Sequence, residues 1–389
     1  MNLVLTTLFL GMFVLGSGEL LVVGVLDLIA ADLHVTISEA GALVTAYALG
    51  LAIGGPILAA LTIKLDRKTV LVGTLVLFIA ANVAAVLTDD YAVFVVARVL
   101  IGALQGLFIA TSFIAGMSVV PPERIGRAIG IIVSGVSVST ALGVPLGTLV
   151  GQTLGWRGSF TAIIAITAVV AVATVTLIPP VPPTGAGAVD QARYAFAPRV
   201  LAVLFLNFIV FATTFAALTY IVPFLQNVTG ISGAVLSVFL LAFGVATAFG
   251  SFSGGRFADR DAGRTLLIGS IGITTSLLTL HFVGPISVLV ALALLAWGLF
   301  AYGIVPSLQV RVISLAGPGG QLAQSLPVSA ANVGIAFGAF IGGQALDRHG
   351  APATVITALI FAAITVTVAW TTKQLKPPVT EEPPINAMQ

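Results

Sequence analysis

The sequence predicts an all-α polytopic membrane protein: twelve transmembrane helices in two six-helix bundles, with both termini cytoplasmic. Three observations predict it. Hydrophobic residues make up 58% of the 389-residue chain and charged residues 8%, against about 25% charged in soluble domains. Mean hydropathy is +1.15. Apolar runs of bilayer-crossing length recur along the whole chain, and one Pro/Gly-rich stretch divides them six and six. The runs are continuous, without the alternation a membrane β-barrel needs.

With about 20 apolar residues per crossing as the ruler, the first bundle reads as spans over 4–28, 39–63, 69–88, 91–117, 126–152 and 158–178. The first has no basic n-region or small-residue cleavage site and is expected to be a retained helix. Segment 179–196, PPVPPTGAGAVDQARYAF, reads as a cytoplasmic linker. The second bundle, 197–372, holds spans over 198–224, 232–255, 264–284, 286–311, 321–345 and 351–372. Residues 373–389, with four prolines, read as a disordered tail.

Basic residues set the orientation. With the N-terminus inside, Lys64, Arg67, Lys68, Arg124, Arg127, Arg193, Arg199, Arg256, Arg260, Arg264, Arg311, Lys373 and Lys376 are all cytoplasmic. The other side holds Arg157 and Arg348, with the acids Asp32, Glu39, Asp89 and Asp90. The basic residues are too scattered for a nucleic-acid-binding face. With no cysteine, there is no disulfide framework or thiolate chemistry.

Glu19 is the anomaly. It is the one charge in Leu3–Leu26, and an acid in mid-span is normally kept there by a task. Counted from Ile29 it lies ~15 Å deep, and Arg98 in span four lies ~12 Å deep by the same rise. Glu19 is therefore a candidate proton carrier with Arg98 beside it, against the alternative of a permanent structural pair. Asp27, two turns outward, is either a second cavity acid or an interfacial residue. Gln105 and Phe108 continue the Arg98 face. The second bundle offers neutral or aromatic candidates for substrate contact: Phe215, Tyr220, Trp297, Tyr302 and Asn332.

Several segments carry a resemblance. Gly255-Arg-Phe-Ala-Asp259-Arg260-x-x-Gly263-Arg264 resembles the loop signature of the major facilitator superfamily, and KLDRKTVLVG at 64–73 echoes it in the first half. There, Asp66 stands where the family has a glycine, and the aspartate expected near Thr62 is missing. Arg98-x-x-x-Gly102-x-x-Gln105-Gly106 is similar to the family's buried-arginine motif. Gly135-(x7)-Gly143-Val-Pro145-Leu-Gly147-(x3)-Gly151 is similar to its antiporter motif, which marks exporters. Gly155-Trp156-Arg157, Tyr220-Ile-Val-Pro223-Phe224 and Asn332-Val-Gly334-Ile-Ala-Phe-Gly338 fit the drug:proton antiporter branch. The chain resembles the arabinose, chloramphenicol and purine efflux transporters in particular. The resemblance implies spans one and four lining a cavity, and a conformational role for Gly143, Pro145, Gly147, Asp259, Arg260 and Arg264.

The expected function is proton-coupled efflux of a small neutral or weakly charged amphiphile across the cytoplasmic membrane. An exporter of sugars or purines, or a proton-coupled importer, are the alternatives. There is no GxxxxGK[ST], so the expected energy source is a proton gradient, with no cofactor. Clustered His/Asp/Glu for an enzyme is missing, and the repeat argues against a channel or receptor. The expected partners are a small-molecule substrate, protons and lipid, around a monomer.

Overall fold

A computed structural model describes residues 3–62, 64–121, 125–181, 196–317, 323 and 326–376. Among them every regular element is helical. Most of the expected linker (182–195) and of the expected tail (377–389) lies outside the described residues, as do Arg124 and Arg193.

The helices before the linker are α1 (Leu3–Gly24), α2 (Leu26–Asp32), α3 (Ile37–Leu49), α4 (Gly55–Leu61), α5 (Arg67–Leu87), α6 (Tyr91–Ser118), α7 (Ile125–Val138) and α8 (Val144–Leu177). After it come α9 (Pro198–Leu218), α10 (Ile221–Asn227), α11 (Gly233–Val283), α12 (Ser287–Gly303), α13 (Val305–Ala316), α14 (Leu326–His349) and α15 (Ala351–Lys373).

Ten helical stretches among the described residues are long and apolar enough to cross a bilayer. Two exceed one crossing. α11 runs 51 residues but breaks at Asp261, whose backbone is extended (φ −160°, ψ 92°). α8 breaks at Gly155 (φ 74°, ψ 164°), a left-handed position that favours glycine. Divided at these residues, the helices fit the twelve expected crossings. The charged stretch 256–263, expected as a loop, is instead two helix ends meeting at one residue. In span eleven the helix α14 runs from Leu326 to His349, beyond the expected end at 345.

Spans one and seven are not single helices. α1 gives way to α2 at Val25 (φ −128°, ψ 21°), and α9 gives way to α10 at Tyr220 (φ −112°, ψ 22°). Pro223 accounts for the second break, because it has no N–H to return to the Thr219 carbonyl. No proline accompanies the first. π turns at Gly50–Gly54 and Ser139–Gly143 each end two residues before a proline, Pro56 and Pro145. The wider turn accommodates the ring and the unpaired carbonyl four residues back.

Before residue 182, α1 packs on α7 and α8, α5 on α6 and α8, and α3 on α6. After it, α9 packs on α14 and α15, and α11 on α12 and α15. Two seams join the sets: α3 on α14, and the Ser139–Gly143 turn with α8 on α11. Large apolar side chains such as Leu87, Phe252 and Phe282 face outward, as a lipid surface requires.

One clasp binds three helix ends in the first half. The Arg157 guanidinium pairs with Asp32 at the end of α2 and with Asp89 Oδ1 at 2.7 Å, and donates to the carbonyls of Val86 (2.9 Å) and Thr88 (3.1 Å). Trp156 Nε1 donates to Asp32 Oδ2 at 3.0 Å, and its ring stacks on Phe94. The Arg157 and Trp156 hydrogen bonds hold the Asp32 carboxyl below its ordinary pKa.

Candidate functional site

The site is assembled from α1, α3 and α6. Gly102 of α6 lies so close to the Tyr47 carbonyl of α3 that a side chain there would collide with backbone. That approach brings Tyr47 between Arg98 and Gln105. The latter two lie seven residues apart on α6, two turns on one face. Arg98 is fully buried and its guanidinium carbon sits 4.2 Å from the centre of the Tyr47 ring.

Arg98 lies beside Glu19 as expected, and the alternative, an ion pair with the Glu19 carboxyl, is not formed. Arg98 donates instead to three backbone carbonyls: Gly18 at 3.0 Å, Glu19 at 3.1 Å and Leu43 at 3.3 Å. The planar fork of donors suits such a set, and buried carbonyl oxygens spread its charge. Glu19 Oε2 accepts from Gln105 Nε2 at 2.7 Å. The Gln105 Oε1 in turn accepts from the Tyr47 hydroxyl. Glu19 is partly exposed where its neighbours are buried, and Tyr302 at the end of α12, also partly exposed, lies within electrostatic reach of it from the other half.

Asp27 sits in the first turn of α2. Its Oδ2 accepts from Gln226 Nε2 of α10 at 2.9 Å, a contact between the halves. At the same end, the Thr45 hydroxyl donates to the Ala336 carbonyl at 3.1 Å. The Tyr220 hydroxyl donates to the Ala339 carbonyl at 2.8 Å and lies hard against Gly41 of α3. These contacts close the molecule at the end opposite Leu3. Outside them is a shallow cavity of about 410 Å³ lined by Ser38, Glu39, Ala42, Tyr91, Tyr220 and Asp347, among others.

The other expected substrate residues are packed in this conformation. Phe108 is 1% exposed and its ring rests on Gly11 of α1. Phe215 and Tyr220 are equally buried. Trp297 stands edge-on to Phe243 at 5.3 Å, and its indole N–H has no partner among the described residues. Asn332 donates to Val328 of its own helix at 2.9 Å, leaving its side-chain oxygen unpartnered. Bulky aromatics are the largest apolar payloads available, so the core claims them.

The motif's glycines face the first span. Gly143 and Gly147 face Ser17 and Leu21 of α1, with no room for a side chain. Across the bundles, Thr140 and Ala141 of the same run meet Gly244 of α11. Asp259, Arg260 and Arg264 are exposed, and no ion pair among the described residues includes them. The acid at work there is Asp261, whose Oδ1 accepts from Arg264 N at 2.8 Å. Its first-half counterpart is Asp66, which caps α5 through Thr69 N at 3.0 Å and accepts from Val181 N at 2.8 Å.

Buried polar groups at mid-helix, a closed seam at one end and two sets of packed helices define a membrane carrier. Residues 8–325 match the Major Facilitator Superfamily. The chain belongs to that superfamily and is a membrane transport protein. It is 30% identical over 354 residues to the chloramphenicol resistance protein of Streptomyces lividans, covering 90% of each chain. It is 29% identical to a probable sugar efflux transporter of Pasteurella multocida over 92% of this chain and 88% of that one. Its fold superposes on a bacterial homologue of the human lysosomal transporter Spinster, in an inward-facing unoccupied conformation, with a TM-score of 0.78, 16% identity, and coverage of 95% of this chain and 96% of that one.

Proposed function

We propose that this transporter exports a small, neutral or weakly charged amphiphile, chloramphenicol-like in character, in exchange for protons, by alternating access. One observation carries the reading. The Glu19 carboxyl faces the interior on a neutral amide donor, while the nearby Arg98 is committed to backbone carbonyls. An acid without a permanent counter-ion is free to take up a proton and give it back. Tyr302 and the partly exposed walls of the second half face it and supply the substrate surface.

The closed end is assigned to the outside, because the basic residues concentrate at the other. The seam of Asp27, Tyr220 and Thr45 then separates Glu19 from the exterior, and substrate enters from the cytoplasm. Export is supported by the Gly143-Val-Pro145-Leu-Gly147 run and by the name of the Streptomyces relative. The energy source is the proton gradient, with no cofactor, and a monomer suffices. The protein is a multi-pass protein of the inner membrane. A second reading, sugar export, is favoured by the name of the Pasteurella relative.

The test is transport of chloramphenicol and arabinose into inverted vesicles, with right-side-out vesicles and an uncoupler as controls. Glu19→Gln should abolish the uncoupler-sensitive component while substrate binding partly survives. Undiminished pH-gradient-driven transport by Glu19→Gln sinks the proton reading, and accumulation in right-side-out vesicles sinks export.

A further inference from the structure

The Gln105 amide can face its two neighbours in either of two ways, and the choice is set from both ends. An ionised Glu19 can only accept, so it requires the amide nitrogen. The amide oxygen then points at Tyr47 and needs a donor, which the phenol supplies; this is the arrangement in the structure. A protonated Glu19 can donate, and the amide turned end for end would accept from it. Its nitrogen would then donate to the phenol oxygen. The phenol hydrogen has another acceptor waiting, because the Leu15 carbonyl lies 3.5 Å from the hydroxyl. Each arrangement leaves every group in the chain with a partner, as burial of Tyr47 and Gln105 requires.

We infer that Tyr47 is a positioning residue for the proton site: its hydroxyl fixes which end of the Gln105 amide meets Glu19, and reverses with it when Glu19 changes its protonation state. The inference rests on the reading of Glu19 as the proton carrier. Arg98 holds the Tyr47 ring from above, so the hydroxyl has a fixed reach. The charged or titratable groups near Glu19 are Arg98 on α6, Tyr47 on α3 and Tyr302 on α12. Of these only Tyr47 touches Gln105. Without its hydroxyl the amide oxygen loses its donor, and the two orientations no longer discriminate between the two forms of the acid.

Tyr47→Phe keeps the ring beneath Arg98 and removes only the hydroxyl. The measurement is an infrared pH titration of the purified full-length protein in lipid nanodiscs, following the protonated-carboxyl band that disappears in Glu19→Gln. Tyr47→Phe should move the midpoint of that band by about half a pH unit or more, a roughly threefold change in proton affinity. Gln105→Leu should move it too, and adding Tyr47→Phe to Gln105→Leu should change nothing further. An unmoved midpoint in Tyr47→Phe overturns the inference, as does a shift that adds to that of Gln105→Leu, since a general packing effect would add. If no titrating band depends on Glu19, the proton reading itself has failed, an outcome distinct from a band that titrates but ignores Tyr47.

Discussion

Gln226 Nε2 donates a 2.9 Å hydrogen bond to Asp27 Oδ2, joining the broken first helix of one half to the broken first helix of the other. Hydrogen bonds to a charged group contribute about 1.5–3 kcal/mol. Gln226→Leu should therefore favour opening of this end by about tenfold, since each 1.4 kcal/mol is tenfold in population. The chain has no cysteine, so Ala42→Cys, in the cavity just outside the seam, is a clean reporter. Labelling by an impermeant maleimide should rise severalfold in Gln226→Leu. Equal labelling in parent and variant means the bond contributes nothing to closure.

Arg98 should not tolerate lysine. An ammonium is a point charge and cannot serve the Gly18, Glu19 and Leu43 carbonyls together while lying flat on Tyr47. Losing even one such bond costs on the order of 1.5 kcal/mol. Arg98→Lys is expected to lower transport by about tenfold or more, read as initial rates in inverted vesicles at matched protein level. Near-parental rates would mean that the fork geometry is irrelevant.

Gly143→Val places methyl groups where Ser17 already stands. Overpacking of this kind costs about 1–3 kcal/mol. Thermal unfolding in detergent should shift down by several degrees, and Ser17→Ala, which removes the nearest atom, should restore part of the loss. A second-site change at Gly244 should not, because that glycine faces Thr140 and Ala141 rather than α1.

Asp32 predicts an acid-sensitive outer clasp. Its carboxyl is held below the ordinary value, first by the Arg157 hydrogen bond and then by Trp156. A carboxyl depressed in the folded state stabilises above its unfolded value near 4, and that contribution is lost as pH falls through the folded value. Melting temperature should thus drop on acidification below about pH 4. Asp32→Asn should begin lower at neutral pH and lose less on acidification. Parallel curves for the two proteins would show that Asp32 does not contribute.

The all-helical membrane fold, the Glu19 and Arg98 positions and the family motifs are legible because each is a local signal: a length of apolar chain, a charge within it, a spacing. The breaks at Val25 and Asp261 were not, since neither residue type demands them. Pro223 was a visible cause for the break at Tyr220, and a proline within an expected span deserved that reading. Tyr47 is not legible, because one tyrosine in an apolar span looks like packing and only the approach of Gly102 on α6 to its carbonyl sets it apart. That Gln105 rather than Arg98 meets the Glu19 carboxyl has a related cause. Depth along a helix places two groups at one level, but it does not say which atoms the guanidinium will choose. Phe215, Tyr220 and Trp297 pack in the core while Tyr302 stays partly exposed, a difference that composition does not carry.

In the proposed proton cycle no step removes the charge of Arg98, which is bound to the neutral carbonyls of Gly18, Glu19 and Leu43. With Glu19 ionised the two charges cancel; with a proton on Glu19 the centre bears one positive charge. A charge crossing the full membrane field feels about 2.3 kcal/mol per 100 mV. An inside-negative voltage therefore acts on the loaded carrier and leaves the unloaded one indifferent. Transport should be electrogenic, and a potassium diffusion potential imposed across vesicles of equal pH on both sides should suffice to drive it.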